Sequence, residues 1–440
     1  MGTTADKLNY LNNTKNLIKN AIVNKGQTVN SGDSFRSFAS KIENIQTGVD
    51  LNDYFALNPT HIRETLTSLL IRVPSEINFT NVTNMAQMFS GFYNLTTVPN
   101  FNTSNVTNMW RMFKDCSNLT TVPNFDTSNV TDMAEMFSSC TYRLLEIPNF
   151  NTSKVTNMAS MFSYCRPLIN APNLIFINGV NAYSMFEGCS NLTNISKLHF
   201  NIQNVFSSCY SMFRECSNLT VSNLNWSINI NIATGMFTYC DNLISISNFG
   251  EVNIADGMFT FCENLTDVAG IKNIYNATKM FGNCYKLKNV SNFSFVQGVN
   301  VQNMFTNCRN LTTITNFDTS KITSMVNFFA SSGLKNAPNF NTSNVTTMAR
   351  MFENCQQLVN VPEMNTSKVT SMLYTFRLCN NLSDAAIQNI INMCLNSKIT
   401  STTYKNLSNA NSSSVFYSTN IMNTRYQNRW TELTAAGWNY

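Results

Sequence analysis

Apolar positions along this chain follow two rhythms that alternate and then recur. In the stretch Leu119 to Ser139, LTTVPNFDTSNVTDMAEMFSS, followed by Cys140, the residues Leu119, Val122 and Phe125 form a β-branched and aromatic run. The turn-forming Asp126, Thr127, Ser128 and Asn129 close it. Val130, Met133, Met136 with Phe137, and Cys140 then fall at steps of three and four, the spacing of one helical face. Each unit therefore predicts a short extended segment, a turn whose Thr or Ser caps the next element, and about two turns of helix.

The same unit repeats. Aligned on the aromatic that usually follows Met, the chain gives Phe89, Phe113, Phe137, Phe162, Phe186, Phe213, Phe237, Phe259, Phe281, Phe305, Phe329, Phe352 and Phe376, separated by 22 to 27 residues. Neither element of a unit buries its apolar side alone, so thirteen copies must stack around one interior. The prediction is an α/β repeat protein, a leucine-rich-repeat-like solenoid of about thirteen strand-turn-helix coils with a parallel β ladder. At ~4.8 Å per strand, its axis runs on the order of 60 Å as a rod or gentle arc.

The repeat also explains the cysteines. Eleven of the thirteen stand three residues after the aromatic: Cys116, Cys140, Cys165, Cys189, Cys216, Cys240, Cys262, Cys284, Cys308, Cys355 and Cys379. One per coil on the inward face reads as a row of small buried thiols. An odd number, one-per-coil spacing and the lack of CxxC argue against a disulfide framework or a zinc site, although stacked neighbours fall within disulfide reach. The Met row before the aromatic reads as core filler.

Units such as NFNTSNVTNMWRMFKDC (Asn100 to Cys116) and NFNTSNVTTMARMFENC (Asn339 to Cys355) resemble the BspA-like bacterial surface-protein repeats, a branch of the leucine-rich-repeat solenoids. The resemblance covers residues 82–382. It implies an adhesion or recognition scaffold with no catalytic residues to carry over. Asn173 to Asn300 departs from it, losing the VPNF and NTSNVT segments, so curvature and exposed chemistry are expected to change there.

The ends read differently. In residues 1–48, Leu8, Leu11, Ile18 and Ile22 follow helical spacing up to Gly26, and Phe35, Phe38, Ile42 and Ile45 form a second stripe after Asp33. This predicts a helical hairpin that either covers the solenoid or docks and trimerises. Asp6 to Ile42, with KLNYLNNTKNLIKNAI, NKG and SFRSFASKI, resembles the amino-terminal segment of phage tail-fibre and baseplate-associated proteins. That implies attachment to a virion tail. Residues 49–81 are expected to shield the first coil and residues 383–440 the last, with helices from Ser383 through Leu395 and from Thr424 to Ala436, because an open strand edge recruits other chains.

Composition narrows the function. Charged residues are 12% of 440, about half of the usual ~25%, so Asn, Ser and Thr supply the polar surface. A net charge of +5 is too dilute for nucleic-acid binding, and no apolar stretch suits membrane insertion. Met1 to Tyr10 lacks the segments of a secretion signal, so export by the general secretory route is not expected. Two histidines, His61 and His199, leave little for His-dependent hydrolysis or metal binding, and no nucleotide or hydrolase motif occurs. The pairs Asp241 with Glu263 and Glu251 with Asp256 suit glycosidase chemistry only in type and read as surface charges. No cofactor, no metal and no enzyme activity are expected.

Recognition remains. A solenoid aligns equivalent positions into rows, and a row of rings and amides binds an extended polymer through many weak contacts. Trp110, Tyr183 and Tyr210 stand two residues before the repeated Met; Tyr164, Tyr239 and Phe261 stand one before the ladder Cys. His199 and Trp226 join them where the repeat breaks. Ring faces stack on sugar CH faces while amides and hydroxyls pair with OH groups. The expected partner is a host-surface glycan or protein, bound by a tail-fibre receptor-binding protein that also contacts tail and baseplate proteins. The alternatives are a bacterial cell-surface adhesin and a polysaccharide depolymerase.

Overall fold

A computed structural model describes residues 15, 16, 18–20, 22, 23, 29, 79, 81–177, 179–199, 205–220, 229–400, 415 and 427–438. The chain divides into two compact units, Met1–Ile175 and Phe176–Tyr440. Each is built as a parallel β-solenoid.

In the first unit, successive coils meet through isolated parallel bridges: Asn84 with Asn108, Asn108 with Asp132, Asp132 with Asn157, and Thr97 with Thr121. Phe89, Phe113, Phe137 and Phe162 stack face to face inside them, centroids 5.5, 5.6 and 5.7 Å apart. In the second unit the same column runs from Phe186 to Phe376 at 5.4–5.6 Å. Met, Cys and Leu beside the rings are fully buried, so equivalent atoms pack on equivalent atoms along the stack.

The segment whose spacing predicts two helical turns is not a helix. Among described residues 81–382 there is none. Two residues per coil take left-handed backbone, bracketing the aromatic: Arg111 (φ 55) and Asp115 (φ 60) around Phe113, Glu135 (φ 54) and Ser139 (φ 63) around Phe137. Such residues interrupt a right-handed helix. The peptide groups then divide their partners. Met112 and Cys116 donate back three residues, to Met109 and Phe113, while Met109, Arg111, Phe113 and Asp115 donate to Asp132, Ala134, Met136 and Ser138 of the next coil at 2.8–2.9 Å. Three-residue turns set every third side chain inward, which is why the spacing mimics a helical face.

The NTS signature also differs from its expected role as a helix cap. Asn102, Asp126 and Asn151 accept the N–H of Ser104, Ser128 and Ser153 on their own side chains, closing Asx turns at 3.0–3.1 Å. The Thr between is buried, and its hydroxyl donates across to the following coil: Thr103 to the Asp126 carbonyl, Thr127 to that of Asn151. These bonds satisfy carbonyls that the isolated bridges leave unpaired.

Among the described residues there are twelve short strands: β1 (Leu174–Ile175), β2 (Leu198–His199), β3 (Val205–Phe206), β4 (Asn229–Ile232), β5 (Ser245–Ile246), β6 (Gly250–Ile254), β7 (Asp267–Ala269), β8 (Ile271–Lys272), β9 (Ile274–Asn276), β10 (Asn289–Phe293), β11 (Phe295–Asn300) and β12 (Thr313–Phe317). In the second unit they form parallel sheets ordered β5-β7-β10-β12 and β3-β4-β6-β9-β11, with β8 also on β6. Register sets Ile246 against Val268 and Val268 against Val290, a buried column of β-branched side chains.

Helix α1 (Asp384–Leu395) starts at Ser383, whose hydroxyl accepts from the Ala386 N–H, and buries Ile387, Ile390, Ile391 and Cys394. Helix α2 (Gln427–Ala435) ends before Gly437, at φ 80, and the buried Trp438. Near the amino terminus, residues 15, 16, 18–20, 22 and 23 are helical, and Ile18 and Ile22 are buried with Val29 against them. Leu8, Leu11, Phe35 and Phe38 lie outside the described residues, so the second stripe of the expected hairpin does too.

Candidate functional site

All thirteen cysteines are free thiols and buried. In each compact unit the ladder thiols donate to the carbonyl of the Phe one coil back, as Cys140 does to Phe113 at 3.3 Å and Cys262 to Phe237 at 3.0 Å. Burial pushes Cys140, Cys240, Cys262 and Cys284 well above the ordinary thiol value, and Cys355 up to about 11. Burial keeps these thiols protonated, and they act as hydrogen-bond donors within the core. Among the described residues no group of three His, Cys, Asp or Glu is placed to hold a metal, and no helix is long and apolar enough to cross a membrane.

The structure brings four of the expected ring residues together in two pairs, both in the second unit. Tyr183 and Tyr210 stack with centroids 5.1 Å apart and planes 8° from parallel, 44% and 38% exposed. Tyr239 and Phe261 stack at 4.8 Å and 5°, and Tyr239 is 40% exposed. Each pair joins adjacent coils at an equivalent position, so the turn geometry that carries the rings holds them parallel. Tyr239 and Phe261 also have left-handed backbone, φ 62 and 61, where most coils place Asn, Ser or Gly. That conformation costs about 1–2 kcal/mol for a bulky side chain.

The other candidates stand apart. Trp110, half-buried in the first unit, carries the Arg111 guanidinium 4.4 Å from its ring centroid. Arg111 also reaches the Glu135 carboxylate at 2.7 Å, where Lys114 joins. Desolvation works against the Glu135 charge, but bonds from Arg111 and Lys114 outweigh it and hold the group below its usual range. Tyr164 is exposed in the first unit at φ 58. His199 is exposed on β2. Trp226 lies outside the described residues.

Sequence reasoning missed two aromatic sites. Tyr275 is exposed on β9, and Tyr374 takes a guanidinium on its ring from both Arg350 and Arg377, at 5.0 and 5.3 Å. Tyr374 stands one residue off the Trp110 row, so a row-by-row search passes over it. Its signal was an Arg, Arg350, at its own position one coil back and a second, Arg377, three residues along its own coil. Of the paired carboxylates, Asp241 is raised by burial and then by the charge of Glu263, the equivalent residue one coil on. Asp256 is raised by burial, against the opposing charge of Lys279.

The family model described as "Mycoplasma protein of unknown function, DUF285" matches residues 62–173, 169–273, 275–390 and 299–432. None of the curated proteins matches the chain. Among solved structures, a leucine-rich repeat protein from Bacteroides ovatus is 17% identical over 76% of this chain and 92% of its own, with a TM-score of 0.46. A leucine-rich cell-surface protein from Faecalibacterium prausnitzii is 19% identical over 66% and 83%, TM-score 0.35. A leucine-rich repeat protein of Leptospira interrogans is 11% identical over 78% and 98%, TM-score 0.25.

Proposed function

We propose that this chain, which belongs to the DUF285 family, is a bacterial cell-surface adhesin that recognises a glycan through ring pairs displayed on its solenoid. The observation that carries the proposal is the parallel stacking of the exposed Tyr183 on the exposed Tyr210, and of the exposed Tyr239 on the half-buried Phe261. A stacked pair presents edges and faces held by the backbone, so binding orders little that was mobile before. Repetition along one scaffold lets weak contacts sum.

In this proposal thirteen coils share the work, four in the first unit and nine in the second. Residues 49–81 and 383–440 shield the ends, and the amino-terminal helical region attaches the protein to its neighbours. The protein binds and does not cut. The tail-fibre alternative has less support, because the matched stretches begin at residue 62 and the segment resembling tail proteins, Asp6 to Ile42, has no counterpart in them.

Retention of surface polysaccharide by the purified chain tests the proposal. The double variants Tyr183→Ala/Tyr210→Ala and Tyr239→Ala/Phe261→Ala should each lose about fivefold or more in affinity, the ~1–3 kcal/mol of lost stacking by two rings, with the polysaccharide length unchanged. Undiminished retention by both variants defeats the binding role, and shortened chains restore the depolymerase. Immunogold labelling of phage tails rather than cell surfaces restores the tail-fibre alternative.

A further inference from the structure

One of the two ring pairs is not neutral. Two residues beyond Tyr239, across the inward Cys240, comes Asp241; two beyond Phe261, across Cys262, comes Glu263. Asp241 and Glu263 therefore occupy equivalent positions of adjacent coils, each two residues along the chain from a ring of the stacked pair, and the charge of Glu263 acts on Asp241. Several single acids are held by cations: Glu135 by Arg111 and Lys114, Glu187 by Arg214, and Glu353 by Arg377 and Arg350. Asp241 and Glu263 have no ion-pair partner among the described residues. Lys286, one coil on, donates to the Asn264 side-chain carbonyl at 2.7 Å.

Two like charges held together without a counter-ion raise each other's energy, and a cation placed between them relieves both. The adjoining ring faces attract the same cation through their quadrupoles. Of the next residues, Asn242 donates its amide N–H to Asn218 and Asn264 accepts from Lys286 at its carbonyl, which leaves the Asn242 carbonyl and the Asn264 N–H to pair with ligand hydroxyls. We propose that Tyr239, Phe261, Asp241 and Glu263 form a subsite for a glycan bearing free amino groups, with the sugar's CH face on the rings and its ammonium on the carboxylates. This rests on the glycan-binding proposal and assigns the chemical class of the ligand at one of its two ring pairs. The Tyr183–Tyr210 pair lacks such acids: the equivalent row continues through Thr234, and Glu187 and Glu215 are both held by Arg214.

Calorimetric titration of the full chain with a glucosamine hexamer and an N-acetylglucosamine hexamer tests the assignment. The amine form should bind at least about tenfold tighter, a preference of ~1.4 kcal/mol. It should fall to parity in 1 M salt, where charges are screened beyond about 3 Å. Asp241→Asn with Glu263→Gln should abolish the preference while leaving N-acetyl binding in place, and Tyr239→Ala should weaken both. Equal affinity for the two hexamers overturns the subsite but leaves the adhesin proposal standing if the N-acetyl form binds. Failure of both hexamers to bind overturns the subsite, and retention of surface polysaccharide then judges the adhesin separately. A lysine hexamer binding as tightly as the glucosamine hexamer reassigns the surface to cationic peptide and overturns it as well. The salt arm uses the unaltered chain, so the assignment remains falsifiable even if the double variant does not fold.

Discussion

Coils 81–170 of the first unit and coils 229–317 of the second each enclose a column of Phe, Met and Cys, and they close it in different ways. In the first, Asx turns and buried Thr hydroxyls join successive coils, with only isolated bridges between them. In the second, strands of up to six residues run in parallel, and buried Phe249 and Ile271 stand where the first region has the Thr. The ring column differs little, 5.5–5.7 Å in one and 5.4–5.5 Å in the other. Conserving the buried column therefore does not fix the outer strip. The 22-residue coil from Phe237 to Phe259 lacks the NTS turn and hydrogen-bonds its backbone directly to its neighbour instead, as does the 24-residue coil from Phe281 to Phe305. The ring pairs belong to the part of the second unit where the turn motif is missing.

The largest test of this equivalence removes a ring from each region. Phe137→Ala and Phe259→Ala should each cost about 3–5 kcal/mol, the ordinary loss for a buried Phe, read as amide exchange released in the flanking coils. A much smaller loss at Phe259 would mean that the sheets, not the column, hold the middle coils. Next, Thr127→Val keeps the shape but strands the Asn151 carbonyl, and should cost about 1–3 kcal/mol. Exchange should rise around residues 126–156 while the strand-closed coils stay as they were. If exchange is unchanged, the hydroxyl row is incidental.

A smaller effect is expected where the strands bend. β11 shifts register against β9 between Phe295 and Asn300, and Gly298 within that shift has φ 77 with open space around an added Cβ. Gly298→Ala should lower stability by about 1 kcal/mol through backbone strain alone, and Gly298→Asn should recover part of it. Equal stability of the Ala variant would show that the bulge relaxes freely.

The smallest effect separates the regions by acid. Side-chain and backbone hydrogen bonds from Ser128 hold Asp126 below its usual range, as those from Ser320 hold Asp318. Their contribution is present above the unfolded carboxylate value of about 3.9 and is lost as pH falls through the lower folded value. Asp241 runs the other way: burial and Glu263 raise it, so its ionised form disfavours the fold and acid relieves it. Since Asn fills the equivalent turn at Asn102 and Asn151, Asp126→Asn should fold as well at neutral pH and lose part of the acid sensitivity. An acid transition identical in variant and unaltered chain would remove Asp126 from the account. The effect is small because the group is exposed and screened.

Much of this arrangement was legible in the repeat. The period, the inward Phe, Met and Cys, and the thiol row as free and buried all follow from matching positions, because a side chain every coil points the same way. The helix was misread, since inward positions at steps of three fit a helical face and a chain of three-residue turns equally well. Pairing of Tyr239 with Phe261 was visible only as equal position, and the clasp of Tyr374 by two arginines was missed because it occupies the adjacent row.

The sequence by itself determined which residues must be interior and that copies must stack, since those facts depend on apolar period and nothing else. Tertiary structure alone decided what the backbone between them became. The N–H groups of Met109, Arg111 and Phe113 find their carbonyls about two dozen residues away, and a local pattern has no means of registering a partner at that distance. It also decided which charges were left without a counter-ion, because whether Asp241 has a cation beside it depends on the neighbouring coils and not on its own.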